Sequence, residues 1–160
     1  MRSNLPSTIA EGRHHYAVRI YFEDTDAAGV VYHANYLRLA ERARSEALRD
    51  LGVPHADLVD RYKLMFMVRR VELDYVQPAR LDDLLTVMTE PVTMGAAAVL
   101  LRQEFRRASE VIAVLALQLV CVPLGGGKPA RIPAPWRAAF QSMAEGRTLG
   151  TGATVTSGDG

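Results

Sequence analysis

Between residues 16 and 22, Tyr16, Val18, Ile20 and Phe22 alternate with Ala17, Arg19 and Tyr21. That period of two predicts a strand with one buried face. Asp24, Asp26 and Gly29 supply the turn formers that end it. From about Ala34 to Leu51 the period changes: Tyr36, Leu37, Ala40, Ala43, Ala47, Leu48 and Leu51 recur at helical spacing. Arg42 and Glu46 lie four apart on the polar side and Gly52 is a natural stop, so a helix is predicted here. Its alanines allow close approach to whatever it covers.

After "GVPHADLVDRY", which reads as a loop, the pattern predicts strand after strand. In "FMVRRVELDYVQP", Val71, Leu73 and Tyr75 alternate with Arg70, Glu72 and Asp74 before Pro78 closes the run. "DDLLTVMTEPV" and "AAAVLLRQEFRRA" follow, then a turn at Ser109-Glu110. "VIAVLALQLVCV" is almost wholly apolar, as expected of a central strand covered on both faces. "PLGGGKPARIP" is a loop, and Pro135 to Met143 is predicted as a short helix with Pro in its first turn. Polar residues 1–13 read as a flexible arm, 14–145 as the folded domain, and the Gly/Thr/Ser-rich 146–160 as a disordered tail. One strand, one long helix and four further strands make an α+β pattern, not a βαβ repeat. An antiparallel sheet crossed by one helix leaves its other face and its edges to be covered, so oligomerisation is expected.

Composition narrows the class. With 160 residues, 49% hydrophobic and 23% charged, the chain has the makeup of one globular domain. A formal net charge of +1 argues against nucleic acid as a partner. Cys121 is the single cysteine, which excludes an internal disulfide and suits a reducing compartment. The first residues contain no apolar signal region, and the most apolar run, Val111 to Leu117, is too short to span a bilayer. A cytoplasmic protein without a transmembrane segment is expected.

Candidate chemistry concentrates at the start of the long helix. The first N–H groups of a helix lack intrahelical partners and carry the positive end of its dipole, where a carbonyl oxygen gaining charge is stabilised. Asp26 precedes that point, and Tyr32, His33 and Ala34 lie near the first turn. A carboxylate there is placed to act on a carbonyl carbon, as nucleophile or as base for water. The plainer alternative is that Asp26 forms a turn and His33 caps or packs. Asp24, Asp26 and His33 have no metal-site spacing, adjacent His14 and His15 would point to opposite faces of a strand, and neither a phosphate loop nor a G-x-S-x-G elbow occurs. No metal or organic cofactor is expected.

"YFEDTDAAGVVYHANYLRLAERARSEAL" resembles the helix-start motif of hotdog-fold acyl-CoA thioesterases, in the YbgC (Tol-Pal-associated) and 4-hydroxybenzoyl-CoA thioesterase group. "FMVRRVELDYVQPARLDDLLTV" and "LVCVPLGGGKPARIP" match in the same order, so the likeness runs from about Tyr16 to Pro133. The resemblance implies a five-stranded antiparallel sheet wrapped around the long helix, assembled as a homodimer or homotetramer with sites between subunits. It places the family's catalytic aspartate on Asp26 and its carbonyl-polarising backbone N–H on His33, whose imidazole matches a histidine implicated in the YbgC branch. Tyr32 and Asn35 belong to the same motif and hold its loop in shape. Hydrolysis of an acyl-CoA thioester is the implied reaction, with Lys63, Arg69 and Arg70 as candidate cations for the CoA phosphates. A non-catalytic module binding acyl-CoA or an acyl carrier protein is the alternative on the same scaffold. Two departures stand out: Phe22 occupies a position often held by Tyr, and Met94 to Leu100 is wholly apolar and small where relatives carry Arg and Ser/Thr.

Overall fold

The structure, a computed structural model, describes residues 7–152. Its first feature is a hairpin. β1 (Ser7–Ala10) pairs antiparallel with β2 (Arg13–Arg19) through the two-residue turn Glu11-Gly12, both residues at positive φ (54° and 75°). Two left-handed residues match the twist of the flanking strands, whereas Glu rarely adopts that conformation, so the turn is hidden in the sequence. Residues 7–13 of the expected flexible arm therefore belong to this hairpin, and residues 1–6 lie outside the described residues. The sheet gains a sixth strand over the five expected.

β2 ends at Arg19, and Phe22 falls in a short 3₁₀ turn, Phe22–Asp24, where it is 81% exposed rather than buried with Val18 and Ile20. The long helix, α1 (Asn35–Asp50), buries Tyr36, Leu39, Ala40, Ala43, Ala47 and Leu48. Leu37, expected on that stripe, is exposed. The stretch 52–62 is not wholly loop: α2 (His55–Tyr62) forms on Pro54 and buries Leu58 completely. Eight residues are too few for a helical period to stand out. β3 (Leu64–Tyr75), β4 (Leu84–Met94), β5 (Ala98–Arg107) and β6 (Glu110–Pro123) follow. α3 runs from Ala134 to Gly152, twice the expected length, and takes in 146–152 of the expected tail; 153–160 lie outside the described residues. Among the described residues no helix is long and apolar enough to cross a membrane.

The strands form one antiparallel sheet in the order β1-β2-β4-β5-β6-β3. Bulges at Val68/Arg70, Pro91/Thr93 and Phe105/Arg106 bend it. The concave face carries the core: Leu85, Val87, Leu101, Phe105, Leu115 and Leu117 meet α1, and Trp136 and Phe140 of α3 join the same cluster. β6 is an interior strand as predicted. The convex face of β2, β4 and β5 is less apolar than the argument for oligomeric cover assumed. Arg13 meets Glu90 (3.1 Å), Arg102 bridges Glu90 (3.6 Å) and Glu104 (3.3 Å), and Arg106 meets Glu104 (3.2 Å). The outer edge strand on that side is β3, twelve residues long, with Met65, Met67 and Val68 exposed in its first half and the Arg70–Glu72 pair beyond them.

One polar cluster ties helix to sheet inside the core. Gln103, fully buried, donates to the Ala40 carbonyl (2.9 Å) and Thr89 Oγ1 (3.0 Å) and accepts from Arg44 Nη1 (3.0 Å). Burial pushes the Arg44 guanidinium down to about 10. Replacing Gln103 by Ala deprives that cation of its acceptor and opens a void, so stability is expected to fall by about 2–4 kcal/mol. A lowered urea midpoint at unchanged slope reads this; an unmoved midpoint refutes it.

Candidate active site at the start of α1

The loop from Asp24 to Asn35 is fastened by its own backbone. Asp24 Oδ2 accepts from the Tyr21 N–H (2.8 Å), and the Asp24 carbonyl accepts from both the Tyr32 N–H (3.0 Å) and Asn35 Nδ2 (2.8 Å). Within it, residues 26–30 close a tight turn in which the Asp26 N–H donates to the Val30 carbonyl (2.9 Å) and the Gly29 N–H to the Asp26 carbonyl (3.0 Å). Gly29 stands at φ +78°, the left-handed conformation this turn requires and side chains resist. The Asp26 side chain is exposed. Its Oδ1 accepts from the Ala28 N–H (2.8 Å) and more distantly from the Val30 N–H (3.4 Å), while Oδ2 has no partner among the described residues. One oxygen orients the carboxylate and the other is open.

α1 starts without a side-chain cap, because its N-cap is Ala34 where Ser, Asp or Asn is usual. The Asn35 N–H donates to the Tyr32 carbonyl (2.8 Å). A trans peptide holds its N–H opposite its C=O, so this bond aims the His33 N–H away from the helix body, in the direction of the other open N–H groups. Among the described residues the His33 N–H has no acceptor. The His33 carbonyl accepts from the Tyr75 hydroxyl (2.9 Å), which joins the helix start to the end of β3. The exposed His33 ring lies 4.3 Å from that of Tyr32, centroid to centroid.

A cleft of about 260 Å³ opens here, lined by Val31, His33, Tyr36, Tyr75, Gln77 and Pro78 among others. Tyr36 is 2% exposed, edge-on to Phe105 (5.3 Å) and Tyr75 (5.5 Å), and burial pushes its hydroxyl up. Thus Asp26, Tyr32, His33 and Asn35 share one loop; Asp26 faces solvent and is not in the cleft wall of the single chain. The three candidate cations lie elsewhere. Lys63 ends α2 with its Nζ on the Asp60 carbonyl (3.0 Å), Arg69 sits at the β3 bulge, and Arg70 pairs with Glu72. In the sequence Tyr36 stands out only as part of the helical stripe and Tyr75 only as part of a strand. The one signal that marks Tyr75 and Gln77 is the strand-closing "YVQP".

The segment 79–83 supports the loop from beneath. The Val31 N–H donates to the Ala79 carbonyl (2.8 Å), the Leu81 N–H to the Gly29 carbonyl (3.4 Å), and the Ile20 N–H to the Asp83 carbonyl (2.9 Å). Asp83 Oδ2 accepts from the Arg80 N–H (2.8 Å) and Arg107 Nη1 (2.7 Å). Partial burial pushes the Asp83 carboxyl up, and these donors outweigh it, leaving the group below its usual range.

A family pattern described as the thioesterase-like superfamily matches residues 20–140. The acyl-CoA thioesterase YbgC of Haemophilus influenzae is 41% identical over 128 residues, 80% of this chain and 94% of that protein. The acyl-CoA thioester hydrolase YbgC of Escherichia coli O6:H1 is 39% identical over 119 residues, 74% and 88% of the two chains. Among solved structures, a probable thioesterase from Bartonella henselae superposes with a TM-score of 0.73 at 35% identity, over 76% of this chain and 99% of that one.

Because Asp83 titrates below its unfolded value, its stabilisation is complete above the unfolded pKa and is lost as pH falls through the folded one. Asp83→Asn is expected to lower the Tm by a few degrees at pH 7, with the gap closing under acid conditions. Thermal melts from pH 7 to 3 check this; a gap that is constant with pH contradicts it.

Proposed function

The chain belongs to the thioesterase-like superfamily, of hotdog fold, and we propose that it hydrolyses acyl-CoA thioesters at the start of α1. The observation that carries this reading is the His33 N–H, without an acceptor among the described residues and aimed outward by the Tyr32–Asn35 bond. A thioester carbonyl docked on it accepts one preorganised hydrogen bond at the positive helix end. As its oxygen gains charge, one such donor lowers the barrier by about 3 kcal/mol. Asp26, oriented through Oδ1, presents Oδ2 to the carbonyl carbon as nucleophile, or to a water as general base. Collapse of the tetrahedral species breaks the C–S bond and expels CoA as its thiolate, a stable leaving group; on the nucleophilic route water then cleaves the acyl–Asp26 anhydride, releasing the acid and restoring the carboxylate. The His33 imidazole, at the rim of the same cleft, is placed to give that sulfur a proton.

Tyr32 and Asn35 serve by holding the loop, through ring contact with His33 and the bond to Asp24. Lys63 stands at the far end of β3 from the helix start and Arg69 and Arg70 at mid-strand, so none of the three lines the His33 cleft in one copy. In a homodimer formed by antiparallel pairing of two β3 edges, Lys63 of one copy comes beside Tyr75 of the other, while Arg69 and Arg70 stay at mid-strand. The exposed Met65, Met67 and Val68 on that edge favour such pairing, and a tetramer follows if two dimers associate. The buried free thiol of Cys121 fits a reducing cytoplasm. No metal or organic cofactor enters the scheme.

Asp26→Asn is expected to lower kcat by about 10²–10⁴-fold while leaving the melting curve in place. Thiol release from short, long and aromatic acyl-CoAs, and from an acyl-carrier-protein thioester, reads it. Undiminished turnover removes Asp26 from the chemistry, and release no faster than background on every substrate turns the reading to a binding module. Single turnover in ¹⁸O-water separates the two roles: label entering Asp26 means covalent attack.

A further inference from the structure

The sheet delivers the Tyr75 hydroxyl to the start of α1 with little freedom. Tyr75 is the last residue of β3 and lies opposite Ala113 of β6. The next two N–H groups, of Val76 and Gln77, both donate to the Ile112 carbonyl (2.9 and 3.0 Å). The Tyr75 ring stands edge-on to the buried Tyr36 at 5.5 Å, and Tyr36 is itself edge-on to Phe105. The side chain is nevertheless 53% exposed in the cleft wall. An exposed phenol gains little by leaving water, so its bond to the His33 carbonyl, forty-two residues away, calls for a local reason.

That reason lies in the two peptides that open the helix. In a regular first turn the His33 carbonyl would accept from the N–H of residue 37, but the Leu37 N–H donates to the Ala34 carbonyl (3.2 Å). Tyr75 takes that place. A trans peptide holds its N–H opposite its C=O, so fixing the His33 carbonyl fixes the Ala34 N–H as well. Like the His33 N–H before it, the Ala34 N–H has no acceptor among the described residues. The Asn35–Tyr32 bond closes a turn in which Ala34 is helical (φ −72°, ψ −20°), which makes His33 helical too. Both N–H groups therefore point to the same side, beyond the N-terminal end of α1. A hydrogen bond accepted by a peptide carbonyl also polarises the N–H of that peptide, which strengthens Ala34 as a donor.

We infer that Tyr75 is a positioning residue for carbonyl activation: it holds and polarises the peptide between His33 and Ala34, so that the Ala34 N–H serves beside the His33 N–H as a second donor to the substrate carbonyl oxygen. The inference rests on the thioesterase reading for its substrate, and adds to it a donor and the residue that aims it. A carbonyl oxygen has two lone pairs, and two N–H groups satisfy both as it gains charge.

Tyr75→Phe removes the hydroxyl and keeps the ring against Tyr36. Thiol release from short, long and aromatic acyl-CoAs is expected to show kcat about tenfold lower, with KM within about twofold. A lower Tm with unchanged kcat makes the bond a structural clasp and overturns the inference, as does a loss carried by KM. A second readout needs no turnover. Hexanoyl- and benzoyl-dethia-CoA, ketones in which a methylene replaces the thioester sulfur, cannot be hydrolysed. On the wild type their ¹³C-labelled carbonyl is expected to show an infrared stretch below its value in water, and on Tyr75→Phe a smaller displacement. In amide spectra of the same complexes the His33 and Ala34 protons are expected to move downfield together; movement of His33 alone refutes the second donor. Normal hydrolysis with neither kcat nor stretch sensitive to Tyr75→Phe refutes the inference and leaves the thioesterase reading standing. A chain that hydrolyses nothing yet shows both spectral effects fails that reading and keeps the donor pair, and one that binds neither ketone loses both.

Discussion

The hydrogen bond from the Asn35 N–H to the Tyr32 carbonyl, 2.8 Å long, sets the plane of the peptide that carries the His33 N–H. With Ala34 at the N-cap, no side chain competes for the N–H groups beyond it. A Ser or Asp in that position would have stabilised the helix by accepting from the Tyr36 or Leu37 N–H. The cost of an uncapped start is met elsewhere, by the Tyr75 hydroxyl on the His33 carbonyl and by Asn35 and Tyr32 both bonded to the Asp24 carbonyl. Asp26 depends on the same clasp, since its turn is closed by Val30 and supported by Ala79 through Val31.

β3 runs from the end of α2 to the helix start. Its last residue touches the His33 carbonyl, its first follows Lys63, and its outer edge is open among the described residues. The convex face nearby has its charges matched across β2, β4 and β5, which lets it meet water. The β3 edge has an exposed Arg70–Glu72 pair in its middle and second half, while Met65, Met67 and Val68 leave its first half apolar. The proposed dimer covers that edge and sets Lys63 of one copy beside Tyr75 of the other.

How much was legible beforehand varied with the length of the signal. α1 repeats its apolar stripe over four turns, and its predicted bounds of 34 to 51 differ from the observed Asn35–Asp50 by one residue at each end. α2 and the β1–β2 turn were not legible. The former is two turns long, and the latter relies on a left-handed glutamate that no propensity favours. Phe22 continued an alternating run but sits in a 3₁₀ turn, because Asp24 binds the Tyr21 N–H and ends the strand early. The tail was read from its glycines and threonines, yet α3 continues to Gly152 from an anchor of Trp136 and Phe140 in the core. Composition does not register that anchoring.

What the sequence determined by itself was the local chemistry: a turn-forming aspartate, a helix start without a cap, and a long motif joining them, all within residues 23–36. Short-range hydrogen bonds build such a segment, so its residues stay together in any fold that contains it. Only the tertiary structure decided that Tyr75 would reach the His33 carbonyl across forty-two residues, and that Tyr36 and Gln77 would wall the cleft. It also decided that Lys63, Arg69 and Arg70 would be carried away from it. Sheet order placed β3 at the outer edge beside β6, and that placement is set by which faces can be buried together, a property of the whole chain.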